Sequence, residues 1–187
     1  MAATGRVLLV GKRVRVLDQL AAALRAEGLH VRQESELDRV ATRVDGSTVD
    51  VVALGRAVTG ARREAIVNAL RARNPALRVV DGLAPITPLL VAQIQEALTA
   101  PPGESRIVAS AAVDSGDRGV LLTLRRAANV TVDLHRLDAL YRAHREHVHD
   151  GPLDRGRHVL HTKGRAIHGE QFLVVRADEQ VTVHPLA

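Results

Sequence analysis

Residues 6–11 read RVLLVG, and residues 12–28 continue as KRVRVLDQLAAALRAEG. A short apolar run that ends in a glycine and leads into about four turns of amphipathic sequence is typical of a buried parallel strand and its crossover helix. Gly28 predicts the C-cap of that helix, since glycine readily adopts the left-handed conformation in which many helices end. The apolar face of the helix carries Val16, Leu17, Leu20 and Leu24.

The same alternation of strand and helix continues to residue 100. Strands are predicted at residues 6–10, 29–34, 50–54 and 77–80. Ser35 is placed to N-cap the second helix and Thr59 the third, and the last helix is expected to begin near Pro85 or Pro88 and to end at Leu98. Strands joined by helices of this length form a parallel sheet with right-handed crossovers. This half is therefore predicted to be a doubly wound sheet of about four strands with helices on both faces.

Two further features of this sheet follow from the sequence. The strand at residues 29–34 is expected at an edge, because it contains His30, Arg32 and Gln33. Too few residues separate Val80 from the last helix for the fifth strand that such sheets usually have. The domain is predicted to span residues 1–100 and to lack the fifth strand of such sheets.

The sequence changes period after a linker at residues 101–105. Turn signals at residues 115–117, 150–152, 163–164 and 177–179 separate short segments of alternating or β-branched character. About seven strands at roughly ten-residue spacing are typical of a β-sandwich, so residues 106–187 are predicted to be all-β. A helix through Leu134–His149 is the alternative that the apolar spacing leaves open. The seven segments are residues 106–113, 119–125, 129–136, 140–149, 156–161, 171–177 and 180–184.

Composition excludes several classes of protein. The 187-residue chain has no cysteine, which excludes disulfides and thiolate metal sites. Its net charge of +5 invites nucleic acid, but the only aromatic residues are Tyr141 and Phe172. Without aromatic platforms for stacked bases, nucleic-acid association is kept only as an alternative. No apolar run approaches the roughly 18 residues that cross a bilayer, and none near the N-terminus fits a signal peptide, so we expect a cytoplasmic protein without a membrane partner.

Glycines and basic residues follow the predicted strands of the first domain. The carboxyl edge of an open α/β sheet is where ligands bind, and Asp81 is the one acidic residue expected there. The basic side chains predict a site for an anion such as a phosphate or an acidic loop of a partner, unless they are simply solvated. The candidate residues are Gly11, Lys12, Arg13, Gly55, Arg56 and Gly82.

The first domain resembles the receiver domains of response regulators and related Rossmann-like modules. The resemblance lies in RVLLVG at residues 6–11, EGLHV at residues 27–31 and DVVALG at residues 50–55. It covers about half of the chain and implies a doubly wound α/β fold.

The functional residues of a receiver are replaced in this chain. Receivers hold magnesium with an acidic pair after the first strand, where Gly11, Lys12 and Arg13 stand here. Their phosphate-accepting aspartate corresponds to Gly55. The hydroxyl residue that follows the fourth strand of a receiver falls near Asp81, and no lysine follows it here. The resemblance therefore implies a pseudo-receiver that lacks the phosphorylation site.

A nucleotide-binding fold is the second candidate for the first domain. A dinucleotide site needs G-x-G-x-x-G after the first strand, but only Gly11 is present there. Gly11-Lys12 resembles the end of a P-loop, yet Arg13 replaces the required Ser or Thr, and Val7–Val10 would have to be a loop. A nucleotide- or anion-sensing switch stays an alternative function.

The second domain resembles the immunoglobulin-like modules of flagellar hook-capping and related prokaryotic proteins. The matching stretches are VTVDLHRLDALYRAHREHV at residues 130–148, DGPLDRGRH at residues 150–158 and GEQFLVVRA at residues 169–177. Such modules pack and bind rather than catalyse. The resemblance implies an adhesive or scaffolding role for about 80 residues.

Eight of the nine histidines fall in the second domain. On a strand, His147 and His149 share one face, and His158 and His161 approach from a neighbouring strand, which makes these four a candidate zinc or nickel site. The competing interpretation is that they lie on the polar face of a sandwich and point into water, and we favour it. The chain has no G-x-S-x-G elbow and no H-E-x-x-H pair, so neither an enzyme nor a bound cofactor is expected.

These observations predict a non-catalytic regulatory or scaffolding protein that binds a protein partner or another copy of itself. If the missing fifth strand leaves the last helix uncovered, its apolar surface is expected to form a homodimer or larger assembly. That surface consists of Leu89, Leu90, Ile94 and Leu98. The strand at residues 140–149 is expected to be an edge whose charges discourage indiscriminate pairing.

The first prediction concerns phosphorylation. Because Gly55 stands in place of the acceptor aspartate, the chain should take no phosphate from a small phosphodonor, with or without magnesium. Intact-mass measurement checks this expectation. A hydroxylamine-labile acyl phosphate on the first domain would overturn it.

Overall fold

The computed structural model describes residues 5–82, 85–100, 105–114, 119–138, 140, 142–163 and 170–186. The chain divides into two compact units, Met1–Leu98 and Thr99–Ala187. Four of the five predicted linker residues, 101–104, lie outside the described residues. The first unit is α/β and the second is all-β, which confirms the predicted fold class.

The first unit is a parallel four-stranded sheet in the order β2-β1-β3-β4. Its strands are β1 (Arg6–Val10), β2 (His30–Glu34), β3 (Val51–Leu54) and β4 (Arg78–Asp81). Its helices are α1 (Val14–Ala26), α2 (Val40–Arg43), α3 (Gly60–Arg71) and α4 (Thr87–Thr99), with 3₁₀ turns at Leu37–Arg39 and Gly46–Thr48. As predicted, β2 lies at an edge. No fifth strand joins β4 among the described residues.

Two apolar cores cover the two faces of this sheet. Val7 and Leu9 of β1 pack with α1 and α4, whereas Leu8 and Val10 pack with α2 and α3. Successive side chains of a strand point to opposite faces, so β1 supplies both cores. The sheet is doubly wound, with helices on both faces, as the sequence predicts.

Helix α1 ends as predicted. Gly28 has a φ of 84°, in the left-handed region that favours glycine. Its N–H donates to the Arg25 carbonyl oxygen, and the Leu29 N–H donates to that of Leu24. The chain therefore turns directly from α1 into β2.

The predicted N-caps do not form. The segment after β2 begins its first turn at Leu37 with Glu36 in the cap position, so Ser35 does not cap it. Thr59 does occupy the N-cap position of α3, but its side chain makes no capping hydrogen bond. The predicted second helix is only one turn of α-helix after a 3₁₀ turn, and it is held by burial of Val40 rather than by a cap.

The described residues of the second unit form seven strands in two antiparallel sheets, in the orders β11-β10-β7-β8 and β5-β6-β9. One apolar core draws side chains from both sheets, so the unit is a sandwich. No helix of the described residues in either unit is long and apolar enough to cross a bilayer. The strands are β5 (Val108–Asp114), β6 (Gly119–Leu124), β7 (Ala128–Leu137), β8 (Ala143–Leu153), β9 (Gly156–His161), β10 (Glu170–Ala177) and β11 (Gln180–Leu186).

One predicted turn of this unit is wrong, and the helix that was left open as an alternative does not form. The stretch Leu134–His149 lies instead in β7 and β8, which pair as an antiparallel hairpin. The predicted turn at residues 150–152 is instead part of β8, where Pro152 is tolerated because β8 is an edge strand. Of the other predicted turns, residues 115–117 lie outside the described residues. The turn at residues 177–179 is confirmed, with Asp178 at a φ of 50°.

The fold predicts a stability difference between two glycines. A Cβ on Gly46 would lie 2.3 Å from the Leu70 carbonyl oxygen, and backbone cannot rotate away. Gly46→Ala should therefore lower the free energy of unfolding of the first unit by about 1–3 kcal/mol. Urea unfolding followed by the helical circular dichroism signal measures this loss, since every described helix lies in that unit.

Gly11→Ala is the matched control. A Cβ there meets its nearest atom, Leu17 Cδ2, at an ordinary 3.5 Å. No loss of stability is expected for this variant. Equal losses in the two variants would show that the contact at Gly46 is not the cause.

Candidate functional site

Three glycines follow the strands at the carboxyl edge of the first sheet. The Gly55 N–H donates to the Val10 carbonyl oxygen at 2.8 Å, and the Gly82 N–H donates to that of Leu54 at 2.9 Å. A Cβ on Gly11 would lie 3.9 Å from the Gly55 Cα. The structure thus brings Gly11, Gly55 and Gly82 together at the predicted edge.

Asp81, the acidic residue that the sequence predicts at this edge, is already engaged. Arg63 of α3 donates to both carboxylate oxygens of Asp81, at 2.9 and 2.7 Å. This hydrogen bonding holds the pKa of Asp81 below its usual value. Arg63 was not singled out by sequence analysis, because nothing in its helix distinguishes it from the neighbouring arginine, Arg62.

The basic side chains at the edge lie on its rim. Arg13 occupies the N-cap position of α1, and both Lys12 and Arg13 are exposed. Lys12 borders a cleft whose carboxylates are paired: Glu36 contacts Arg39 at 2.6 Å, and Asp38 contacts Arg62 at 2.9 Å. Arg56 is also exposed, in the turn after β3. The exposed side chains around the three glycines of this edge are therefore basic.

A P-loop is excluded by the geometry of β1. Residues Arg6–Val10 are a strand that pairs with β2 and β3, and only Gly11, Lys12 and Arg13 connect it to α1. A P-loop needs a longer glycine-rich loop before its lysine. The first strand–helix connection is too short for one.

The apolar residues of α4 predicted to form an interface lie inward. Leu89 and Ile94 are fully buried, and Ile94 packs with α1 and β1 in one core of the first unit. Leu90 and Leu98 are half-buried, and both pack against that core. Neither Leu89 nor Ile94 has exposed surface to offer a second copy.

The four histidines proposed as metal ligands are not brought together. His147 and His149 lie on β8, in the four-stranded sheet, whereas His158 and His161 lie on β9, in the three-stranded sheet. A bulge at Val148 places His147 opposite Asp133 and His149 opposite the core residue Val132, so these two histidines do not share a face. Within the described residues, no group of three or more His, Cys, Asp or Glu side chains is placed to hold a metal ion.

Local hydrogen bonds engage other polar residues of the sandwich. The Asp138 carboxylate accepts from the backbone N–H groups of Leu140 and Arg142 and contacts His144 Nε2 at 3.1 Å. It stabilises the turn between β7 and β8, as expected for a turn aspartate. His158 Nε2 is 2.8 Å from the Asp154 carbonyl oxygen, in the turn before β9.

Asp133 is the centre of an ion cluster that sequence analysis missed. Its side chain is 2% exposed, and its carboxylate accepts from Arg145 at 2.9 Å and contacts His147 Nδ1 at 3.1 Å. Arg176 Nη1, on β10, lies 3.7 Å from Asp133 Oδ2. The side chains of Arg145 and His147 remain 58% and 52% exposed. One buried carboxylate thus fixes a basic surface on the four-stranded sheet.

Burial and pairing oppose each other at Asp133. Burial alone would raise the pKa of its carboxyl, but hydrogen bonds and charges from Arg145 and His147 outweigh burial and hold the pKa below its usual value. His135, two residues along the same strand, is 2% exposed. Its pKa is lowered mainly by burial, and Arg145 and Arg176 lower it further against the opposing charge of Asp133.

The expected polar face of the sandwich is therefore partly wrong. His144 and His147 are exposed as expected, but His135 and Asp133 are buried, and so are their cross-strand neighbours Phe172 and Val174. A signal was present in the sequence, because Phe172–Val175 is a continuous apolar run. Such runs are typical of strands that are buried on both faces.

Comparison with known proteins adds no relative. No protein-family description matches the chain, and no curated protein matches its sequence. Functional interpretation therefore depends on the geometry.

The buried His135 and the half-buried His184 predict how stability depends on pH. The pKa values of His135 and His184 are lowered in the folded chain, in both cases mainly by burial, so the unfolded chain takes up protons first as the pH falls. Their contribution to the free energy of unfolding is complete above a pH of about 6.5. It is lost as the pH falls below that value, at up to about 1.4 kcal/mol per pH unit for each histidine. Calorimetric melting of the second unit between pH values of about 7.5 and 5.5 measures this loss.

The variants isolate each histidine. His135→Gln and His184→Gln should each flatten the pH dependence of the melting temperature of the second unit. His30→Gln, which alters an exposed histidine of the first unit, should leave it unchanged. The same pH dependence in all three variants would contradict the assignment.

Proposed function

We propose that this chain is a non-catalytic scaffolding or regulatory protein that acts through contact with protein partners or with another copy of itself. It combines a pseudo-receiver with an immunoglobulin-like sandwich. The observation that carries the proposal is the carboxyl edge of the first sheet. Gly11 and Gly55 stand where a receiver has carboxylates, and Arg63 engages Asp81.

Packing does not force these glycines on the fold. A Cβ on Gly55 would lie 3.5 Å from the Val10 carbonyl oxygen and 3.6 Å from the Gly11 Cα, which are ordinary contacts. An aspartate would therefore fit at this position. The residues present do not fit the magnesium site of a receiver, because Gly11, Lys12 and Arg13 replace its acidic pair, Arg63 engages Asp81, and the Glu34 carboxylate accepts from the Glu36 N–H. This arrangement supports a domain that keeps the receiver architecture and uses it for contact.

The strand order of the second unit supports an immunoglobulin-like relationship. In constant-type immunoglobulin domains the first, second, fifth and fourth strands form one sheet, and the third, sixth and seventh form the other. Here β5, β6 and β9, the first, second and fifth strands, share one sheet, and β7, β10 and β11 share the other. Only β8, the fourth strand, pairs in the opposite sheet. The proposal takes the sandwich to be a binding module.

The ion cluster around Asp133 supports contact with an acidic partner surface. Arg145 and His147 are held by the buried carboxylate and keep more than half of their side chains exposed. Fixed charges lose little conformational entropy on binding and give specificity to an interface. Both resemblances lead us to propose a bacterial protein, and the resemblance of the first unit to receivers leads us to propose the cytoplasm as its setting.

Magnesium binding tests the pseudo-receiver. The wild-type chain should show no calorimetric heat with Mg²⁺, whereas the double variant Lys12→Asp/Gly55→Asp should gain Mg²⁺ binding, because it restores carboxylates at the edge. Lys12→Asn/Gly55→Asn is the matched control, with the same shape and no added charge.

Each outcome has a defined meaning. Mg²⁺ binding by the wild-type chain would contradict the non-catalytic assignment. Equal behaviour of the aspartate and asparagine variants would contradict the receiver-like geometry of the edge.

A further inference from the structure

Strand β9 is the outermost strand of the three-stranded sheet. It pairs with β6 through six consecutive residues, from Gly156 opposite Leu124 to His161 opposite Gly119, without a register shift. No strand of the described chain pairs with its other side. A regular edge of this kind presents backbone donors and acceptors that another strand can use.

The other edges of the sandwich are protected. β8 has the bulge at Val148 and the charged side chains of Arg145 and Asp150. β11 contains Pro185, which lacks a backbone donor. β5 has a register shift near its start, and the residues before it are bonded to Gln180, the first residue of β11. Charge, proline and bulges are the devices that prevent edge pairing, whereas β9 has no proline or bulge and Arg157 is its only arginine, lysine or acidic residue.

The centre of β9 is apolar and exposed. Val159 is 51% exposed, which is unusual for a valine in a strand. It lies opposite Leu121 of β6, which lies opposite Ala112 of β5. This apolar row crosses the sheet and ends at the open edge. A strand that continued the sheet would extend the row with an apolar residue beside Val159.

We propose that β9 is a self-association edge, at which two copies of the chain pair β9 with β9 and join their three-stranded sheets into one six-stranded antiparallel sheet. The inference rests on the proposed contact function, since it names a second copy as a partner. A two-fold axis perpendicular to the sheet keeps every side chain on its own face. Pairing centred on Val159 then places Val159 against Val159, His158 against Leu160, and Arg157 against His161.

The charges of the strand permit this pairing. Arg157 is the only arginine or lysine of β9, and no two arginines lie opposite each other. The two copies of Arg157 are four positions apart along the paired strands, about 13 Å at roughly 3.3 Å per residue. That distance exceeds the Debye length of about 8 Å at physiological salt, so their repulsion is largely screened.

The expected association is weak. In this register five residues of each β9 are paired, and they bury less surface than the roughly 1,200–2,000 Å² of a standard interface. A dissociation constant in the micromolar range is therefore expected. The valine pair supplies most of the apolar contact. This affinity suits an assembly that depends on local concentration.

Sedimentation velocity of the full chain tests the proposal. Between about 1 and 100 µM, the wild-type sedimentation coefficient should rise from the monomer towards the dimer, as micromolar affinity requires. Val159→Lys should abolish the rise, because it places two ammonium groups side by side. Val14→Lys is the matched control: Val14 is 53% exposed in the first unit, and its substitution should leave association unchanged.

A cross-link tests the register. The chain has no cysteine, so a single Val159→Cys substitution can form a disulfide only between copies. Mild oxidation should give a covalent dimer of Val159→Cys and little of Val14→Cys, even if Val159→Lys should prove poorly folded.

A wild-type chain that stays monomeric, or one whose association survives Val159→Lys, would overturn the proposal. Equal cross-linking of the two cysteine variants would do the same. These results leave the magnesium experiment untouched, so failure of the β9 edge and failure of the proposed function are distinguishable.

Discussion

Burial of β1 on both faces is the constraint on which the first unit depends. Val7, Leu8, Leu9 and Val10 are each at most 2% exposed, and they alternate between the two cores. Full burial of such side chains contributes roughly 1.5–3 kcal/mol each, so this one strand supplies as much as the net stability of many domains, about 5–15 kcal/mol. Every helix of the unit packs on one of the two faces that β1 defines. The packing of β1 also fixes the position of the carboxyl edge, because Gly11 follows the last residue of β1 and begins the short connection to α1.

The sequence was sufficient to predict the architecture because apolar periodicity reports burial. All four parallel strands, the edge position of β2 and all seven strands of the sandwich follow from runs and alternations that need no tertiary information. Caps and turns were less predictable because they depend on competition among local hydrogen bonds. Glu36, and not Ser35, occupies the cap position of the turn that begins at Leu37. Residues 150–152 belong to β8, although Gly151 and Pro152 are typical turn residues.

The candidate sites were harder to predict because each depends on pairs that are distant in sequence. The glycines of the first sheet were found, since strand ends can be counted. The engagement of Asp81 by Arg63 was not found, because the two residues are 18 positions apart on different elements. Likewise, Asp133 and its partner Arg145 meet only through the β7–β8 register. Charge totals for the edge therefore mislead unless the ion pairs within it are known.

The bulge in β8 reconciles two demands that a regular register cannot meet together. Without the extra residue, Val148 would lie opposite Asp133, and His147 would lie opposite the core residue Leu134. With it, Val148 packs against the core and His147 reaches the Asp133 carboxylate. Removing either Arg145 or His147 would leave the buried Asp133 carboxylate with less compensation for its charge, which destabilises the folded chain. The ion cluster therefore selects the bulged register, and the same bulge protects this edge of the sandwich while β9 stays regular and open.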